Sequence, residues 1–140
     1  MSTDSPVAGL SFKVHHTMLP VADLSRSIDF YTRLLGMKQQ SRHANPTRGV
    51  EVGLLGYGDE VSTPYLELTQ DISAAAPAQV TPANIHIGID VSDLRQLATI
   101  LEQEDIRFTR PVRERSDGKG LTAWIEDPDG HPLELAERYA

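Results

Sequence analysis

The strongest constraint on this chain is that it repeats itself. The segment His16-Thr-Met-Leu-Pro-Val21-Ala-Asp23-Leu24 reads His-x4-Val-x-Asp-Leu. His86-Ile-Gly-Ile-Asp-Val91-Ser-Asp93-Leu94 reads the same way 70 residues later. A second pair closes each half: Tyr65-Leu66-Glu67-Leu68 matches Pro132-Leu133-Glu134-Leu135. His16 and Glu67 lie 51 positions apart and His86 and Glu134 lie 48 apart; the extra Val61-Ser-Thr63 accounts for the difference. Self-similarity of this kind means one supersecondary unit used twice, with each unit leaving an apolar face for the other to cover.

Each unit has the same order of elements. Val14 to Val21 alternates as a strand does. Asp23 caps a helix whose stripe is Leu24, Ile28, Tyr31 and Leu35, and Gly36 suits its stop. Strands are expected at Met37 to Arg42, Val50 to Leu55 and Pro64 to Thr69. The second unit follows with a strand over Asn84 to Val91 and a helix capped by Asp93 that carries Leu94, Leu97, Ala98 and Leu101. Its strands are expected near Ile106 to Thr109, Leu121 to Ile125 and Pro132 to Ala136. The fold class is therefore α+β, two tandem βαβββ modules. Residues 1–11 are expected to be a flexible tail, 12–71 the first module, 72–83 a linker rich in Ala and Pro, and 84–140 the second module, together one domain.

Strand alternation then sorts the side chains. Thr17, Leu19 and Val21 share a face with Leu66 and Leu68. Ile87, Ile89 and Val91 share one with Leu133 and Leu135. These aliphatic faces belong against the helices. His16, Glu67, His86 and Glu134 point the other way, onto a helix-free surface that paired modules can share. His15 falls on the opposite face from His16 and reads as peripheral.

Composition narrows what this surface can do. The chain has no cysteine, so disulfides, zinc-thiolate sites, iron–sulfur clusters and thiol nucleophiles are excluded. A metal here would need nitrogen and oxygen ligands, and two imidazoles with two carboxylates suit a divalent ion while leaving open positions. With 13 Lys+Arg against 20 Asp+Glu the net charge is −7, a poor match for nucleic acid or an anionic membrane. No secretory signal or membrane span is visible, which makes the cytoplasm the expected compartment.

These residues carry a resemblance. His16-Thr-Met-Leu, Asp23-Leu-Ser-Arg-Ser-Ile-Asp-Phe-Tyr31, Leu35-Gly-Met37, Leu55-Gly-Tyr-Gly58, Leu66-Glu-Leu-Thr69, His86-Ile and Glu126-Asp-Pro-Asp-Gly130 with Leu133-Glu-Leu135 resemble the vicinal oxygen chelate superfamily, and within it glyoxalase I. The resemblance implies a metal cup of His16, Glu67, His86 and Glu134, shared across a homodimer, with a divalent metal at each site. Nickel or cobalt is favoured, zinc or manganese possible. It implies isomerisation of the hemithioacetal of methylglyoxal and glutathione to S-lactoylglutathione, with Glu134 as base and Glu67 as its partner carboxylate. The small-molecule substrate is thus a 2-oxoaldehyde joined to a thiol.

Three stretches depart from the family pattern. Pro20 stands where an arginine is usual. Gln70-Asp71-Ile72-Ser73 replaces a Tyr-Asn-Trp-Gly-like stretch, and Pro111 to Gly118 replaces a shorter glycine-rich loop. Arg113 and Arg115 in that segment are candidates to bind an anionic substrate. The alternatives within the superfamily are a dioxygenase, an epimerase or a small-molecule resistance protein. Glu67 weighs against the first two, since similar dioxygenases use two His and one Glu, and similar epimerases carry Gln there.

Overall fold

The computed structural model describes residues 6–8, 10, 15–58, 65–73, 80 and 86–139. Most of the expected tail and linker, and the starts of both modules, lie outside them. The first module contains β1 (His16–Pro20), α1 (Leu24–Asp29) running on into a π-helical turn (Phe30–Leu34), β2 (Lys38–Asn45), β3 (Val50–Gly56) and β4 (Tyr65–Asp71). The second contains β5 (Ile87–Asp90), α2 (Leu94–Gln103), β6 (Phe108–Glu114), β7 (Gly120–Glu126) and β8 (Pro132–Arg138). Two four-stranded sheets result, ordered β1-β4-β3-β2 and β5-β8-β7-β6. In each, the first strand runs parallel to the last and the remaining neighbours are antiparallel.

The repeat extends into the helix caps. Asp23 accepts from the Arg26 N–H at 3.1 Å and Asp93 from the Gln96 N–H at 3.0 Å. The next orphan donor in each helix is met by the far strand: Leu24 N–H donates to Gln70 Oε1 at 2.7 Å and Leu94 N–H to Glu137 Oε1 at 2.8 Å. Both helices end on a left-handed residue, Gly36 at φ 71° and Asp105 at φ 59°. After α2, Asp105 N–H reaches the Glu102 carbonyl and Ile106 N–H the Leu101 carbonyl, the paired closure of a Schellman motif. After the π turn the corresponding bond, Met37 N–H to Tyr31 C=O, spans one residue more.

The helix-facing sides of both sheets feed one apolar core. Leu24, Tyr31, Leu55 and Leu68 of module one are fully buried, as are Leu94, Leu101, Ile125, Leu133 and Leu135 of module two. Gly53 lets α1 sit close: a Cβ there would press on Ile28 and Leu24. Gly120 is more constrained, because a Cβ would collide with the Glu137 carbonyl.

The modules are also fastened by polar contacts from the Glu126-Asp-Pro-Asp-Gly130 turn. Asp127, 5% exposed, accepts from Tyr31 Oη at 2.8 Å and from the His131 and Asp129 N–H groups at 2.8 and 2.9 Å. Asp129 accepts from Ala22 N–H and Ser27 Oγ, and the buried His131 ring contacts the Pro20 carbonyl at 2.8 Å. This turn ties module two to the helix and first strand of module one.

Two strands run furthest past their expected ends. β2 reaches Asn45, and β6 reaches Glu114, so half of the expected Pro111–Gly118 loop is strand. Both are edge strands with mostly exposed, polar residues, so no apolar alternation marks them. Pro111 is tolerated because an edge strand has N–H groups that need no ladder partner.

Candidate active site

Strand alternation puts Glu67 and Glu134 on the helix-free faces, while His16 opens β1 and His86 stands one residue before β5. His16 begins β1, and Glu67 lies in the neighbouring β4 on the same face; His16 Nε2 is 3.1 Å from Glu67 Oε2. In module two, His86 Nε2 is 3.4 Å from Glu134 Oε2. All four side chains are partly exposed, from 24% for Glu67 to 50% for His86. The structure therefore gathers the residues as two His–Glu pairs. Among the described residues no group of three or more His, Asp or Glu side chains is arranged to hold a metal ion within the one chain.

The donor chemistry fits a divalent ion. Ligand atoms bound at about 2.0–2.2 Å to a common ion lie about 3 Å apart, and each pair already presents one nitrogen and one oxygen at that separation. Each pair is half of the expected set.

The surroundings of the two pairs differ. In module one Glu67 sits between Met18 on β1 and Leu54 on β3, its register partners. In module two the equivalent partners of Glu134 are Gly88 and Trp124. The Trp124 ring meets His86 edge to face at 4.8 Å, and the Arg110 guanidinium lies over the Trp124 ring, 5.7 Å from its centroid. Phe30, by contrast, is core, 4% exposed.

Arg113 and Arg115 do line a cavity with Glu134. It measures about 360 Å³ and is bounded also by Arg110, Thr122 and Trp124. Arg115 is already engaged: its guanidinium donates to Asp117 at 3.1 and 3.2 Å, which holds the Asp117 carboxyl below its usual range. Arg113 has no ion pair among the described residues. Thr122 Oγ1 is buried there without a hydrogen-bond partner among those residues. Sequence reasoning missed Arg110, because it read the strand as ending one residue earlier.

It also missed His15. The alternation argument placed its ring away from His16, but β1 begins at His16 and the rule does not reach back past it. His15 Nδ1 lies 2.9 Å from His16 Nδ1 and 3.3 Å from Tyr65 Oη, and the His16 and Tyr65 rings stack at 5.4 Å. The departures Pro20 and Gln70 have structural tasks here, one as the carbonyl partner of His131 and the other as a helix cap.

Paired βαβββ modules, each with a His–Glu pair on its helix-free face, define the class of fold. The comparisons place the chain within it. Residues 13–135 match the model of the Glyoxalase/Bleomycin resistance protein/Dioxygenase superfamily, and the chain belongs to that family. It is 36% identical over 122 residues to the lactoylglutathione lyase of Escherichia coli O157:H7, covering 87% of this chain and 90% of that protein. The lactoylglutathione lyase of Neisseria meningitidis serogroup A is 32% identical over 123 residues, 88% of each. Among solved structures, the trypanothione-dependent glyoxalase I of Leishmania major is 35% identical with a TM-score of 0.71, covering 91% of this chain and 87% of that one. Glyoxalase I from Zea mays gives a TM-score of 0.78 at 28% identity, covering 91% of this chain and 45% of that one.

Proposed function

We propose that this chain is a lactoylglutathione lyase that isomerises the hemithioacetal of a 2-oxoaldehyde and a thiol, methylglyoxal and glutathione in the first instance. The observation that carries the reading is the geometry of the two His–Glu pairs, each with its donor atoms spaced as two ligands of one ion. The relatives named lactoylglutathione lyase, more than 30% identical over most of the chain, give the reaction class.

His16, Glu67, His86 and Glu134 would hold a divalent ion. Bound there, it would act as a Lewis acid toward negative charge developing on the substrate oxygens. Two nitrogen and two oxygen ligands with positions left open suit a six-coordinate divalent ion; the family resemblance favours nickel or cobalt, with zinc or manganese as the alternatives. Glu134 is the base that takes the proton from the carbon bearing sulfur and returns it to the neighbouring carbon. It has room to move, since a Cβ on Gly88 would meet nothing within 4 Å. Glu67, flanked by Met18 and Leu54, is the partner carboxylate that stays in place. Arg113, with Arg110 and Arg115, faces the carboxylates of the thiol, and Thr122 offers a hydroxyl.

The working unit is a homodimer in which the pair from one copy completes the pair from the other. The separation of the two pairs within one chain supports this. No helix among the described residues is long and apolar enough to cross a membrane, and cytoplasmic residence fits the relatives.

The test joins elemental analysis of the purified protein to an assay for thioester formation with methylglyoxal and glutathione. A divalent metal should copurify, and chelation should abolish turnover that nickel or cobalt restores. Metal-free protein with undiminished activity would overturn the reading. Mixing His16→Ala and His86→Ala chains tests the dimer. Sites shared between copies regain activity in the mixture, because one of the two sites is then intact; sites within one chain do not.

A further inference from the structure

We infer that His15, backed by Tyr65, is a positioning residue that sets the tautomer and ring orientation of His16. The inference rests on the proposal that His16 is a metal ligand. To ligate through Nε2, a neutral imidazole must carry its proton on Nδ1. That proton needs an acceptor, and metal-bound histidines ordinarily find one in a carboxylate, a carbonyl or water. Here the only partner of His16 Nδ1 among the described residues is His15 Nδ1, at 2.9 Å.

A second imidazole is an unusual choice and has a specific consequence. With its ring neutral, His15 Nδ1 can accept or donate according to its own tautomer. Without metal, His16 Nε2–H can donate to Glu67 Oε2, 3.1 Å away, while His15 Nδ1–H donates to His16 Nδ1. With metal, both tautomers exchange: His16 Nδ1–H donates to His15 Nδ1, and Nε2 is free to ligate. A carboxylate or carbonyl could serve only the second state. Tyr65 holds His15 for this role in three ways. Its hydroxyl is 3.3 Å from His15 Nδ1, its ring meets His15 edge to face at 4.9 Å, and its N–H donates to the His15 carbonyl at 3.2 Å. In module two, His86 has its pair partner Glu134 and the Trp124 ring beside it but no second imidazole among the described residues, so this second layer belongs to one half of the site.

The test is metal affinity, measured by competition of cobalt or nickel between the full-length protein and a chelator of known strength. Wild type, His15→Leu, His15→Gln, Tyr65→Phe and His16→Ala are compared, with the visible absorption of bound cobalt as a second readout. Loss of an outer partner of this kind weakens binding about 10- to 100-fold, and that loss is expected for His15→Leu with a shifted cobalt spectrum. His15→Gln, whose amide both donates and accepts, should recover most of the affinity, and Tyr65→Phe should lose a few-fold. The melting temperatures of the metal-free proteins should coincide. Equal affinity and spectra for wild type and His15→Leu would overturn the inference while leaving the metal site intact. If wild type binds no better than His16→Ala, the metal reading itself fails.

Discussion

Glu67 and Glu134 occupy equivalent positions in the two halves of the molecule, yet their neighbours could hardly differ more. Glu67 stands between Met18 and Leu54, beside a histidine backed by His15 and Tyr65. Glu134 stands between Gly88 and Trp124, at the rim of an arginine-lined cavity. One backbone arrangement thus yields a walled, apolar half-site and an open, cationic one. Two carboxylates can take different roles when their environments differ. On the proposed reading, Glu67 keeps its place while Glu134, beside the side-chain-free Gly88, moves the proton.

The largest expected effect comes from breaking the open half. Glu134→Gln should keep the fold and lower kcat by about 10²–10⁴-fold, the usual range for a general base. Thioester formation followed in the ultraviolet measures it, and full activity would sink the role assigned to Glu134. Next in size is the contact that fastens the two halves together. Asp127→Ala leaves the Tyr31 hydroxyl and two backbone N–H groups without their acceptor. Buried groups so orphaned cost about 1–3 kcal/mol, and denaturant titration should show a loss near the top of that range. A third variant copies one half onto the other. Gly88→Met places the module-one residue beside Glu134 where the space is open, so stability should hardly change while kcat falls about tenfold, ~1.4 kcal/mol of barrier. Unchanged kcat would show that the gap does not matter. Arg113→Ala should raise KM for glutathione by a few-fold and leave kcat in place, since an exposed charge contributes about 1 kcal/mol or less.

The smallest effect is on pH. Burial holds the Asp127 carboxyl above its ordinary value of 3.8, against the pull of its bonds from Tyr31 and His131. A carboxyl raised on folding contributes stability that is complete below its unfolded pKa and is lost as pH rises through the folded one. Asp127→Asn should therefore remove a downward slope of stability just above pH 3.8, read from melting temperatures across that window.

Much of this was legible in the residues. The repeat gave the element order, and alternation put Leu66 and Leu68 on the helix side with Glu67 opposite. Asp23 and Asp93 announced the helix starts correctly. The misses have physical causes. β6 is an edge strand whose exposed Arg and Pro residues break the period-two pattern, so Arg110 and Arg113 looked like loop. His15 precedes its strand, where alternation has no force. The Glu126-Asp-Pro-Asp-Gly130 stretch carried the family resemblance, but nothing in it showed that Asp127 reaches Tyr31, 96 residues away in the chain.

The sequence by itself determined the two modules, their order of elements and which four side chains share the helix-free faces, because these follow from local periodicity and a repeated pattern. Only the tertiary structure decided that these four side chains come together as two separate pairs, that His15 stands behind one of them, and that arginines line the other. Those facts depend on which strands lie side by side and which turn packs on which helix, and no spacing along the chain encodes them.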